Sequence, residues 1–258
     1  MSPHAARAVE LLREARRVVV FTGSGMSQES GVPTFRDPQS GLWARFDPAE
    51  LATADAFCRN PGRVFAWYLW RWRATRMAQP HAGYRALVEL EDRFERLTVV
   101  TQNVDGLHWR AGSDRVIELH GSLETFRCFD AGHPYDAARL EELSARGGAE
   151  IEPPRCERCG SPIRPGVVWF GEPLPWDQLE AARAEVETCD ALLAVGTSAL
   201  VYPAADLAWT GVNRGIPVIE VNPEATPLSA HAALAWPSAA SAALRELAAG
   251  LGTPRSTP

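Results

Sequence analysis

The sequence predicts a doubly wound parallel α/β sheet with a smaller second lobe, and three observations lead there. Short, apolar, β-branched runs recur along the chain, and each opens into a glycine-rich or polar loop. Amphipathic helical patterns lie between those runs, the grammar of a parallel sheet covered by helices. Two long stretches, 37–80 and 121–167, break the alternation.

Taken in order, residues 4–17 place Ala8, Leu11, Leu12 and Ala15 on one helical face and predict a first helix. Val18 to Phe21 is compact, β-branched and ended by Gly23 and Gly25, so it reads as a buried strand. Residues 37–80 are rich in Trp, Phe and Arg without a strand pattern and read as a helical insertion. A helix over 81–93 leads to a strand at Leu97 to Thr101, and another strand spans Val116 to Leu119. Residues 121–167 hold three cysteines, clustered Gly and Pro and one helical pattern at 137–146; they read as a second insertion packing on the first. A helix over 176–188 then precedes strands at Ala191 to Val195 and Ile216 to Val221.

The expected organisation is a discontinuous Rossmann-like nucleotide-binding domain from 1–36, 81–120 and 168–251. The small lobe takes 37–80, a helical module, and 121–167, a zinc-ribbon-like module, with 252–258 as a disordered tail. Ligands of such sheets bind outside the carboxyl ends of the strands, and here five of those ends carry Gly, Ser, Thr, Asn, Asp and His. One shared crevice is therefore expected.

Composition excludes several classes. The 258 residues carry 26 basic and 32 acidic side chains, a formal charge of −6, and every basic residue is arginine. The absence of lysine rules out a lysine Schiff base and a P-loop lysine. No block of positive charge marks a nucleic-acid groove, and no apolar run is long enough to span a bilayer, so neither nucleic acid nor membrane is an expected partner. Five cysteines, an odd number, without a charged-then-apolar leader place the chain in the cytoplasm, with Cys58 and Cys189 as ordinary buried thiols. A monomer or weak oligomer is expected.

Gly23-Ser24-Gly25-Met26-Ser27 directly follows a strand, where small residues allow a tight turn and let backbone amides approach a pyrophosphate. Alone, such a turn is as often structural. It continues through Glu29-Ser30-Gly31-Val32-Pro33-Thr34-Phe35-Arg36-Asp37, too elaborate for a chain reversal. Here the chain resembles the sirtuins, NAD-dependent protein lysine deacylases whose nucleotide loop reads GAGxSxxSGxPxFR, with Ser24 in place of the second-position alanine. Thr101-Gln102-Asn103-Val104-Asp105-Gly106-Leu107-His108, Ala111-Gly112 and Glu118-Leu119-His120-Gly121 extend the resemblance, which runs over about residues 5–250.

The resemblance implies that NAD is consumed and that acylated lysine in proteins or peptides is the partner, giving nicotinamide, O-acyl-ADP-ribose and free lysine. His120 would be the general base, a role an imidazole at a strand end can take near neutral pH, with Asn103 and Asp105 orienting ribose and water. By the same resemblance Gly23, Ser24, Gly25, Ser27, Glu29, Thr34, Phe35, Arg36 and Gln102 line the NAD site, as do Gly196, Thr197, Ser198, Asn222 and Glu224. Val168, Trp169, Phe170 and Gly171 belong to an extended segment that would wall the acyl-lysine tunnel and pair with peptide backbone.

Tyr68 and Arg71, three apart on one helical face, offer a phenol and a guanidinium fork to a carboxylate. The class III branch, which removes succinyl, malonyl and glutaryl groups, carries Tyr-x-x-Arg at the matching place, and Ala66 before the Trp67-Tyr68 pair fits a roomy tunnel. Cys156 and Cys159 form half of a zinc knuckle. Cys128 lacks its mate, because Ala131 stands three positions on, which leaves three thiolates and a fourth ligand open between His133 and Asp130.

Overall fold

The computed structural model describes residues 1–32 and 47–252. Thr34, Phe35 and Arg36 lie outside the described residues, as do the rest of 33–46 and the tail from 253. Helix α1 (Pro3–Leu12) starts at Ser2, whose hydroxyl accepts from Ala5 N at 3.2 Å. It ends five residues before the expected 17. Asp190 explains this, since its carboxylate accepts from the backbone N–H of both Arg16 and Arg17 at 2.8 Å and draws the chain into strand β1 (Arg17–Thr22).

Among the described residues of the first insertion three helices follow: α2 (Pro48–Leu51), α3 (Ala54–Arg59) and α4 (Pro61–Met77). The last begins with Pro61 in its first turn and Asn60 as cap, accepting from Arg63 N at 2.9 Å. Then come α5 (Ala82–Glu91), β2 (Arg96–Thr101), α6 (Leu107–Ala111) and β3 (Val116–Glu118). The second insertion holds β4 (Gly121–Cys128), β5 (Pro134–Tyr135), α7 (Glu141–Arg146) and β6 (Ile163–Val167). The chain closes with α8 (Trp176–Thr188), β7 (Ala191–Val195), α9 (Ala205–Asn213), β8 (Val218–Val221), β9 (Leu234–Trp236) and α10 (Ala240–Leu251).

Six strands form a parallel sheet in the order β3-β2-β1-β7-β8-β9. Alternate residues of each strand serve opposite faces. Val18, Val20, Val99 and Leu193 pack with α1, α5 and α10, while Val19, Phe21, Val100 and Leu192 pack with α8 and α9. Burial on both faces is why these strands read as unbroken apolar runs, each large side chain contributing about 1.5–3 kcal/mol. Among the described residues no helix is long and apolar enough to cross a membrane.

The small lobe has its own core, where Phe57, Phe65, Tyr68 and Trp72 of α3 and α4 meet Leu123, Phe126 and Ile163. Three features depart from the sequence reading. The second insertion contains an antiparallel sheet, β5-β4-β6, which Pro165 and Gly166 inside β6 concealed; the register shifts between Ser122 and Phe126, where such residues are tolerated. Strand β9 was not foreseen, being three residues at the sheet edge. Cys58, expected to be buried, is exposed on α3, while Cys189 is buried as expected.

Candidate active site

The parallel sheet reverses its winding between β1 and β7, and the loops leaving these strands meet there. Gly25 N donates to Gly196 O at 2.8 Å, and Gly23 N to Val195 O at 3.2 Å. Gly196 has φ of 59°, and a Cβ on it would lie 2.2 Å from Met26 N. Only glycine lets the two loops approach this closely.

A cleft of about 320 Å³ opens above this junction. Gly23, Ser24, Gln102, Asn103, His120, Gly196, Thr197 and Ser198 line it, as do Tyr68, Arg71, Val168, Trp169, Phe170 and Gly171. The ends of β1, β2, β3 and β7 thus converge with β6 and α4 of the small lobe, whereas the β8 end, expected as a fifth, does not reach the cleft. His120 Nδ1 lies 3.0 Å from Gln102 O; a carbonyl only accepts, so Nδ1 carries the proton and Nε2 keeps its lone pair. Burial lowers the His120 pKa and the carbonyl bond offsets part of that, so the ring is neutral at neutral pH. Gln102 Nε2 donates to Thr197 Oγ1 at 2.9 Å, tying β2 to the loop after β7.

Asn103 and Asp105 are buried. Asp105 accepts from Ser27 Oγ at 2.6 Å and from Leu107 N at 2.9 Å. Burial raises its pKa, while these bonds and the charges of Arg71 and Arg110 act in the opposite sense. His108 closes the motif that begins at Thr101. It is buried beside Thr22, Nε2 to Oγ1 3.1 Å, and desolvation holds it neutral with a pKa of about 3.

Tyr68 and Arg71 stand on the buried face of α4, with the guanidinium 5.4 Å from the phenol ring centre and 4.9 Å from that of Trp67. Burial lowers the Arg71 pKa and raises that of Tyr68. Ala66 does not enlarge this cleft. It lines a separate groove with Leu51, Trp67 and Trp70, because two residues along a helix turn the side chain to the other side. Ala52 takes the cleft-lining place instead.

The wall segment is less strand-like than expected. Val168 N already donates to His120 O and Phe170 N to Ala52 O, and Gly171 turns at φ of 85°. Arg164, 3.4 Å from the Trp169 ring centre and paired with Glu172, fixes this turn; Glu172 also accepts from Trp169 N at 2.8 Å. Sequence reasoning missed Val104, Leu174, Val201, Tyr202 and Pro203 on the cleft wall. The last three follow Gly196-Thr197-Ser198 so closely that the motif could have been extended to them.

Six expected NAD-site residues stand outside the cleft lining, among them Gly25, which donates to Gly196 O at the loop junction, and the buried Asp105. Ser27 lies beneath the floor, on Asp105. Glu29 accepts from Ser241 N at 2.9 Å in the first turn of α10. Asn222 is tied through its backbone to Trp236 O and Ser238 N, and Glu224 is exposed.

Cys128, His133, Cys156 and Cys159 offer four ligand atoms within 4.8 Å of one another. His133 Nδ1 is 3.5 Å from the sulfurs of Cys128 and Cys156, and the Cys128 and Cys159 sulfurs are 3.7 Å apart. Tetrahedral zinc with bonds of about 2.0–2.3 Å requires edges of roughly 3.5–3.8 Å. The donor set fits a structural zinc ion, with His133 rather than Asp130 as the fourth ligand. Ala131 leaves no gap because the turn after Cys128 brings His133 back, with Cys128 N donating to His133 O at 2.9 Å.

The Sir2 family model matches residues 23–203. An NAD-dependent protein deacylase of Mycobacterium tuberculosis strain H37Rv is 51% identical over 228 residues, 88% of this chain and 94% of the relative. A Sir2 homologue solved as an NAD complex superposes with a TM-score of 0.84 at 42% identity, covering 94% of this chain and 92% of that one. A Sir2 complex with a p53 peptide and NAD+ gives 0.81 at 32%, covering 93% and 95%. With a family match across most of its length, relatives at this identity and the same fold, the chain belongs to the Sir2 family.

Proposed function

We propose that the chain is an NAD-dependent protein lysine deacylase that accepts acetyl and negatively charged short acyl groups, acting in the cytoplasm. The observation that carries the reading is His120, neutral and with Nε2 free of a hydrogen bond among the described residues, in the same cleft as the glycine loop and Asn103. NAD supplies the leaving group, nicotinamide, and the electrophilic ribose carbon. The chain supplies geometry and a proton acceptor. The loops at Gly23–Gly25 and Gly196–Ser198 hold phosphate and ribose with backbone N–H groups and small hydroxyls. Asn103 orients a ribose hydroxyl, and His120 Nε2 takes a hydroxyl proton, which contributes about 10²- to 10⁴-fold.

Tyr68 and Arg71, buried in the same cleft, support the acidic acyl preference, because a carboxylate there meets a cation already stripped of water. None of the five cysteines is disulfide-bonded and three of them meet at the candidate zinc site, which agrees with a reducing compartment. The test is incubation with NAD and acetyl-, succinyl-, malonyl- and glutaryl-lysine peptides, following nicotinamide and peptide mass together. Loss of the acyl mass with equimolar nicotinamide is expected, and His120→Ala abolishes both. Nicotinamide release with ADP-ribose added to the peptide would instead make the chain a mono-ADP-ribosyltransferase.

A further inference from the structure

Beneath the cleft floor lies a buried polar group of side chains in which Tyr84 has no role assigned so far. Tyr84 is fully buried and absent from the cleft lining. Its Oη is 2.8 Å from Ser27 Oγ, which lies 2.6 Å from Asp105 Oδ2 and 3.0 Å from Asn103 Nδ2. The same Nδ2 is 2.9 Å from Gly23 O.

Counting protons fixes every direction. Gly23 O only accepts, so the amide nitrogen of Asn103, not its oxygen, faces the loop. A serine hydroxyl has one proton and two acceptor positions. The Ser27 proton goes to Asp105, and one acceptor position takes the Asn103 N–H. Tyr84 fills the other, and it must donate. Burial raises the Tyr84 pKa, so the phenol keeps that proton throughout the working range. Both Asn103 N–H bonds are then committed, the amide cannot flip, and Oδ1 is the polar atom left for the cleft.

The helix that carries Tyr84 is itself tied to the glycine loop. His81 Nδ1 accepts from Gly83 N at 2.9 Å, so the ring is protonated at Nε2, which donates to Met26 O at 2.7 Å. His81 N also donates to Ser30 Oγ at 3.2 Å. The start of α5 thus holds the loop at three points, and Tyr84 is the one whose contact leads to Asn103.

We infer that Tyr84 is a positioning residue: by donating to Ser27 it locks the Asn103 amide so that its carbonyl oxygen stays aimed at a hydroxyl-bearing ligand in the cleft. That ligand is the nicotinamide ribose if the deacylase reading above holds, and the inference rests on that reading. Tyr84→Phe removes one oxygen that never touches substrate.

The test compares the wild type, Tyr84→Phe, Ser27→Ala and the double variant in nicotinamide release with saturating acyl-peptide, alongside thermal unfolding. Tyr84→Phe is expected to lower kcat about tenfold, the effect of one hydrogen bond, with the peptide KM unchanged. In the Ser27→Ala background the same substitution has a smaller effect, because the oxygen it chiefly acts through is gone and only the direct approach of Tyr84 to Asn103 remains. Wild-type kcat in Tyr84→Phe, or an equal loss in both backgrounds, would overturn the inference in favour of packing. Asn103→Asp supplies a check independent of how the Tyr84 variant folds. It keeps an acceptor oxygen but loses both donated bonds, so it should lose at least as much kcat, and full kcat would refute the locked amide. Failure of the deacylase reading has a different appearance: the wild type itself releases no nicotinamide with any acyl-peptide.

Discussion

Replacing Arg71 by Met separates acyl recognition from the rest of catalysis. Arg71 is 7% exposed, and its guanidinium lies against the rings of Trp67 and Tyr68 at the cleft. Burial beside Tyr68 holds the guanidinium in place, so a substrate carboxylate meets a cation whose position is already set. Hydrogen bonds to a charged partner contribute about 1.5–3 kcal/mol. At roughly 1.4 kcal/mol per decade, their loss lowers kcat/KM for a succinyl-peptide by about 10- to 150-fold. Met has a similar length and remains apolar, so the packing of α4 is largely kept. The acetyl group has no carboxylate to lose.

Arg71 has a second effect, because its charge helps keep the buried Asp105 ionised against the rise that burial causes. A modest loss on acetyl-peptide is therefore expected too, and the quantity to measure is the ratio of the two losses. Arg71→Lys is the control: it preserves the charge near Asp105 while removing the planar fork. The assay is kcat/KM for paired succinyl- and acetyl-peptides of one sequence, measured by peptide mass at saturating NAD. Equal losses on both substrates would refute the carboxylate role and leave Arg71 as a packing and electrostatic residue.

Further outcomes follow from the same geometry. The acid limb of kcat/KM should lie below pH 6.5, because burial depresses the His120 pKa and the base form is lost only as pH falls through that lowered value; a limb above pH 6.5 would contradict the assignment. Protein purified without added metal should hold one zinc per chain by elemental analysis. His133→Ala and Cys156→Ser should each lower both zinc content and the unfolding midpoint, and full zinc retention in His133→Ala would exclude that ligand. Gly196→Ala forces a Cβ against Met26 N at a positive φ and should cost at least about 2 kcal/mol in denaturant unfolding together with NAD affinity, whereas an unchanged midpoint would mean that the loops separate freely.

Much of the fold was legible because parallel strands buried on both faces leave a strong local record. Val18 to Phe21 and Ala191 to Val195 carry no polar side chain, and glycine follows each within two residues. The small lobe left a weaker record. Strand β6 reads Ile-Arg-Pro-Gly-Val, and its pairing is fixed by β4 far away in sequence rather than by any local preference. Helix α4 hid its facing for a different reason. Its aromatic side chains and its four arginines, Arg63, Arg71, Arg73 and Arg76, are spread around the helix rather than sorted to two faces, so its sequence could not say that Tyr68 and Arg71 meet the cleft while Ala66 meets another groove.

By itself the sequence determined the chemistry the chain is able to offer. It contains no lysine, so it has no amine side chain for Schiff-base chemistry and none that could itself be acylated and reversed by its own activity. It also provides a histidine, two amides and a carboxylate at strand ends. Tertiary structure decided which atoms face one another: the protonated Nδ1 of His120, the committed amide of Asn103, and His133 as the partner of three cysteines. The physical reason is distance along the chain. Propensity and periodicity act over a few residues, whereas a hydrogen-bond direction depends on neighbours far away in the chain, 80 residues in Asn103 with Gly23 and 95 in Gln102 with Thr197.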